Sequence, residues 1–193
     1  MATAISAAPT TKFTPDDLLR LPDQGKGFEL VNGEIVELNV STLSSYVSGQ
    51  AFFFLLSLVR TSNVGWVFPE GTSFRCFPGD SDRVWRADAA FIRRERLSDE
   101  KAAAEGHCTE APDLVVEVVS PNDLADDVNA KRIEWQEAGV RLVWVIHPHH
   151  QTIHAYHADG TVRLFRNSDT LTADPVLPGF KVHVADLFRF PPA

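Results

Sequence analysis

Leu114-Val115-Val116-Glu117-Val118-Val119 lies between Pro112-Asp113 and Ser120-Pro121. A short run of apolar, mostly β-branched residues bounded by turn formers reads as a buried strand. Downstream, a helical pattern starts at Asn122 or Asp123, runs to Ala138 and stops at Gly139, which acts as a C-cap. Arg141-Leu142-Val143-Trp144-Val145-Ile146 is a second buried strand. Strand, helix and strand in that order imply one right-handed crossover and a locally parallel pair. Glu117 is the anomaly. A carboxylate inside a buried strand is costly unless it is paired. A metal ion, a cation or a proton held by a raised pKa would each resolve it, and all three point to a site rather than a scaffold. The structural alternative is a buried pair with an arginine.

Around this unit the sequence alternates helices and hairpins. Thr14-Pro15-Asp16-Asp17 starts a short helix that reaches about Leu21. Phe28-Glu29-Leu30-Val31 and Glu34-Ile35-Val36-Glu37-Leu38 flank Asn32-Gly33 and read as a two-residue β-hairpin. Residues 44–60 read as a largely buried helix, with Val47, Ala51, Phe54, Leu55 and Leu58 at helical spacing. Strands follow near residues 65–68 and 72–76. Val84-Trp85-Arg86-Ala87-Asp88-Ala89-Ala90-Phe91-Ile92 reads as one strand that carries Asp88. Residues 93–106 form a charged surface excursion. Residues 152–156 and 162–165 pair as a hairpin across Asp159-Gly160, and Pro178-Gly179-Phe180 leads into a last short strand and a terminal turn. The expected class is α/β with α+β character: a single domain over residues 13–193, with a mixed β-sheet flanked by helices and added hairpins, after a flexible tail over residues 1–12.

The formal charge of -8 argues against a protein that coats nucleic acid nonspecifically, yet leaves nucleic acid open as a substrate. Residues 1–11 lack the basic and apolar regions of a secretory signal. The apolar run Ala51-Phe52-Phe53-Phe54-Leu55-Leu56 is too short to span a bilayer, so no membrane partner is expected. Cys76 and Cys108 form no disulfide framework or metal-ligand spacing, so reduced thiols and a cytoplasmic location are expected.

If the strands of Asp88 and Glu117 are neighbours, their carboxylates meet at one place in the sheet. Two acids that close raise each other's pKa unless a cation holds them. With oxygen ligands only, the natural ion is Mg²⁺ or Mn²⁺, and the Val118 carbonyl is a candidate third ligand. Lys131 lies on the crossover helix, which packs back over the sheet. There it can orient an attacking water or stabilise a pentavalent phosphate. Trp135 follows one turn later on the same face. The plainer readings are an ion pair of Asp88 with Arg86 and one of Lys131 with Asp127. His147, His149, His150, His154 and His157 match no common zinc spacing and read as surface residues around a hairpin. Phe52-Phe53-Phe54 reads as core, with part of it available to a dimer interface. Arg93, Arg94 and Arg96 read as a solvated face, or as phosphate contacts.

Taken together, the stretches Phe28-Glu29-Leu30-Val31-Asn32-Gly33-Glu34-Ile35-Val36, Arg86-Ala87-Asp88-Ala89-Ala90-Phe91 and the Glu117 strand from Pro112 to Pro121 carry a resemblance. With Lys131, Gly139-Val140 and Val143-Trp144-Val145 in order, the chain resembles the PD-(D/E)XK nuclease superfamily, and more closely its restriction endonuclease group of the Uma-two type. The resemblance implies a restriction-endonuclease-like core built on a four-stranded mixed sheet, and metal-dependent hydrolysis of DNA phosphodiester bonds. It implies that Asp88 and Glu117 are metal ligands and that Lys131 is the catalytic lysine, moved from the strand, where Val119 now stands, to the following helix. A homodimer suits cleavage of both strands of a symmetric site. The chain departs from the group's pattern at Ala87 (usually proline), Ser44-Ser45-Tyr46 (usually with a histidine), Trp135 (usually tyrosine) and His147-Pro148 (usually Asp-Pro). These departures motivate a second reading: a nuclease-fold protein without catalysis that acts as a nucleic-acid-binding or oligomeric interaction module.

Overall fold

The computed structural model describes residues 12–38 and 40–191, so residues 1–11 of the expected tail lie outside the described residues. Thr14 caps α1 (Pro15–Arg20) with a reciprocal bond to Asp17, as its sequence dictates. β1 (Phe28–Val31) and β2 (Glu34–Glu37) pair antiparallel across Asn32 and Gly33, both at positive φ. The long helix α2 (Thr42–Ser62) follows. Next come β3 (Gly65–Pro69), β4 (Ser73–Phe74), β5 (Trp85–Arg86), β6 (Ala89–Arg93) and the single turn α3 (Asp99–Ala102). The expected crossover is β7 (Leu114–Val118), α4 (Ala125–Glu137) and β8 (Leu142–His147). The chain closes with β9 (Thr152–His157), β10 (Val162–Phe165), β11 (Thr170–Ala173), β12 (Leu177–His183) and α5 (Val184–Leu187).

The main sheet has six strands in the order β10-β9-β8-β7-β6-β3. β7 and β8 run parallel, with Glu117 opposite Val145, and the other neighbours are antiparallel. The four-stranded core implied by the resemblance is thus extended, because the β9–β10 hairpin continues the sheet beyond β8. One face of the sheet sets Leu114, Val116 and Trp144 against Val47, Ala51 and Leu55 of α2. The opposite face sets Val115, Val143 and Val145 against Trp135 of α4. Strand alternation places Glu117 on this α4 face. Gly139, at φ +97°, ends α4 as expected. α4 starts later than expected because the Asp123 carboxylate accepts the Ser120 N–H at 2.7 Å and closes a turn before the helix.

Three expectations change. Asp88 does not lie inside one continuous strand. Val84 bridges to Leu30 and β5 pairs with β4, whereas β6 pairs with β3 and β7, so the chain switches sheets at Ala87-Asp88. β11 has no counterpart in the sequence reading; four residues with two threonines carry little pattern, and β11 is held by its pairing with β12. Finally, the apolar run Ala51–Leu56 is short, but the 21-residue helix that contains it is long and apolar enough to cross a bilayer by length and composition. In this fold its stripe of Val47, Ala51, Leu55 and Val59 is buried against the sheet.

Candidate active site

β7 outruns β6. The last register pair on that edge is Ala89 with Val116, so the next inward-facing amide, that of Val118, has no strand partner there. The switch segment fills the gap: the Asp88 N–H donates to the Val116 carbonyl at 3.0 Å, and Asp88 Oδ2 accepts the Val118 N–H at 2.6 Å. The side chain continues the ladder that the backbone leaves, which fixes this carboxylate over the end of β7. Among the described residues, Val118 supplies the one hydrogen bond to it. The Val118 carbonyl shares the edge of its own N–H and so lies on the Asp88 side.

Glu117, 9% exposed, stands beside it. Its Oε1 accepts the Trp135 indole N–H at 2.7 Å, and its Oε2 lies 3.1 Å from Lys131 Nζ. Trp135 and Lys131 sit one turn apart on α4, so a single helix face addresses both oxygens. Lys131 also donates to Glu29 Oε1 and to the Arg86 carbonyl, each at 2.8 Å, and lies 5.0 Å from the centre of the Trp85 ring. The surface pair with Asp127 does not form. Nor does one between Arg86 and Asp88: Arg86 is buried, and its guanidinium donates to the carbonyls of Phe28, Gly25 and Gly71.

These groups line a cavity of about 690 Å³ between the β1–β2 hairpin, the ends of β5 and β7, and α4. Burial, reinforced by the Glu117 charge, pushes the Asp88 carboxyl well above its usual range, and the Val118 N–H and Lys131 only partly offset this. Burial likewise raises Glu117 to about 7, against the pull of Lys131. Burial opposes the charge on Lys131, but Glu117 and Glu29 outweigh it and hold the ammonium pKa above its ordinary value. The cavity wall carries eight carboxylate residues against three cationic ones. The three cations are engaged: Arg83 with Glu134 and Asn32, Arg86 with carbonyls, and Lys131 as above. A polyanion can enter such a cavity only if further cations accompany it.

Residues 15–185 match the Uma2 family, described as "Putative restriction endonuclease". The chain belongs to the Uma2 family. No curated protein matches it. Among solved structures, the crystal structure of a "putative nuclease belonging to DUF820" from Anabaena variabilis is similar, with a TM-score of 0.73 and 20% identity over 91% of this chain and 97% of that one. At that identity the likeness shows the fold alone: a mixed sheet flanked by helices, shared between this Uma2 chain and that protein.

Within the Uma2 fold, the sequence candidates Asp88, Glu117, Val118 and Lys131 all line this one cavity. Other residues at the site were not anticipated. Glu29 is 4% exposed, and Trp85 and Arg83 both bond Glu134. Glu29 alternates with the core residue Leu30 on β1, a pattern identical to that of a solvated hairpin face; only its place within the family-like stretch set it apart. Where the group usually has a histidine, Ser44 Oγ lies 2.8 Å from Ser120 Oγ and ties α2 to the end of the β7 segment. The histidine stretch gathers differently. The His147 and His154 rings meet edge to face at 5.1 Å, and among the described residues no three His, Cys, Asp or Glu side chains group to hold a metal. Arg96 pairs with the buried Asp113 at 3.1 Å, and Arg94 with the exposed Asp99 at 2.6 Å. Phe53 is 57% exposed, which removes it from the expected core.

Trp135→Phe should remove the indole donor and leave Glu117 Oε1 unbonded, at a cost of about 1–2 kcal/mol that urea denaturation would show. The Glu117 carboxyl should then titrate still higher, since the lost bond favoured its charged form.

Proposed function

We propose that this Uma2 protein is a metal-dependent endonuclease that hydrolyses DNA phosphodiester bonds, with Asp88, Glu117 and the Val118 carbonyl as metal ligands and Lys131 as the catalytic lysine. The observation that carries the reading is the meeting of two carboxylates, Asp88 and Glu117, both held above their ordinary pKa, with Lys131 in one cavity. The donor set suits Mg²⁺ or Mn²⁺. Mg²⁺ keeps several waters and is commonly held by one or two carboxylates and substrate phosphate, so no cage of three acidic side chains is required. When bound, the ion would supply Lewis-acid polarisation of the phosphate and a more acidic attacking water.

The chain's own residues do the rest. Lys131 remains an ammonium at neutral pH, so it serves as a hydrogen-bond donor and positive charge toward the water or the pentavalent phosphate, not as a general base. Trp135 fixes the rotamer of Glu117, and the Val118 amide fixes that of Asp88. Relaxation of supercoiled plasmid in Mg²⁺ or Mn²⁺, stopped by a chelator, tests the proposal. A single-stranded circular substrate beside it separates the two strand classes. The second reading, a nuclease-fold module without catalysis, draws on the pairing of Lys131 with Glu29 and Glu117 and on Ser44 and His147 at departure positions. Metal-dependent turnover would eliminate it.

The raised carboxylates also have a cost in the metal-free protein. The folded pKa of Asp88 lies above its unfolded value near 3.9. Its contribution is therefore fully present below that value and is lost as pH rises through the folded pKa. Asp88→Asn keeps an acceptor for the Val118 N–H and removes the charge. We expect it to be more stable than the metal-free parent at pH 8, and by a smaller margin at pH 5, in urea denaturation. A gap that does not widen with pH would contradict this.

A further inference from the structure

We propose that Glu29 is the positioning residue for Lys131, holding the ammonium so that Glu117 can turn to a divalent ion. The inference rests on the reading of Asp88 and Glu117 as ligands of such an ion. Lys131 Nζ donates two hydrogen bonds, to Glu29 Oε1 and to the Arg86 carbonyl, each at 2.8 Å, and makes an ion-pair contact of 3.1 Å with Glu117 Oε2. The contact to Glu117 is the longest. If Glu117 becomes a ligand, the other two contacts remain, and one of them carries a full counter-charge.

Glu29 is built to stay in place. It is 4% exposed, it lies on β1 beside Leu30, which is fully buried in the satellite core under the hairpin, and its Oε1 also accepts the backbone N–H of Arg86 at 2.7 Å. Arg86 in turn donates to the Phe28 carbonyl, so the carboxylate, the amide and the strand hold one another. A surface ion pair would have none of these restraints. Without the Glu29 charge, Lys131 is left to the charges of Glu117 and Asp88, and the lysine competes with the ion for the same oxygens.

Glu29→Gln tests this. Its amide oxygen retains an acceptor for the Arg86 N–H and for Lys131, and only the charge is lost. Isothermal titration of the full chain with Mn²⁺ alone, without DNA, should show binding weakened by about 10-fold or more, the range seen when a group that supports metal ligands is removed. In the Lys131→Met background the same substitution should change Mn²⁺ affinity by less than about 3-fold, because no ammonium remains to be held. An unchanged affinity in Glu29→Gln would overturn the inference. So would a 10-fold loss that persists in the Lys131→Met background, since Glu29 would then act on the ion by its charge alone. A wild-type chain that binds no Mn²⁺ would overturn both this inference and the ligand assignment; wild-type binding that Glu29→Gln leaves intact overturns this inference only.

Discussion

Glu117→Ala is expected to abolish Mn²⁺ binding and to reduce DNA cleavage to the level seen without metal, while the fold persists. Glu117 is one of two side-chain ligands in the assigned site, and without substrate phosphate the truncation leaves a single carboxylate, Asp88, and a backbone carbonyl to hold the ion. The fold should survive because the losses and gains nearly offset. Trp135 loses its acceptor, a cost of about 1–3 kcal/mol, but a buried carboxyl whose pKa is raised to about 7 is removed as well, and Lys131 keeps Glu29. Circular dichroism and urea denaturation would check the fold and titration calorimetry the metal. Intact Mn²⁺ binding in this variant would remove Glu117 from the site.

Lys131→Met should have the opposite profile. Here we expect Mn²⁺ affinity to be retained or tighter, with the cleavage rate down by on the order of 10²–10³, the loss typical when a charged donor to a transition state is deleted. Stability should fall by about 3–5 kcal/mol in the metal-free protein, because Glu29 and Glu117 are left buried without their counter-charge. The deficit has a direction in pH. Lys131 holds down the pKa of Glu117, so without it the folded value rises further above the unfolded one, and the penalty grows as pH climbs from about 4 toward 8. Mn²⁺ should restore part of the lost stability, since an ion that binds only the folded state stabilises it. Denaturation at two pH values, with and without Mn²⁺, would separate these effects. A variant as stable as the parent and fully active would contradict both roles.

Much of this arrangement was legible in the residues themselves. β7, α4 and β8 were readable because buried parallel strands are continuous apolar runs and α4 ends at a glycine, so the crossover was apparent and Glu117 stood out within it. The two hairpins were readable from Asn32-Gly33 and Asp159-Gly160. Asp88 was found as a residue but misplaced as strand interior. The nine-residue apolar pattern around it hides the change of sheet at Ala87-Asp88, which depends on where Arg86 finds its carbonyl partners. The same limit concealed Glu29. Its burial comes from Lys131 and the Arg86 amide, groups 102 and 57 residues away in sequence, and periodicity on β1 cannot report contacts of that range. Lys131 was the reverse case: alone it looked like one half of a surface pair with Asp127, and only the order of the motif singled it out.

The most direct measurement is cleavage of supercoiled plasmid by the wild-type chain and by Glu117→Ala, side by side, in Mg²⁺, in Mn²⁺ and in chelator. Nicked or linear product from the wild type in either metal, with none in chelator and none from Glu117→Ala, is the expected result. Equal cutting by Glu117→Ala, or wild-type cutting that survives the chelator, would contradict a metal-dependent nuclease site at Glu117.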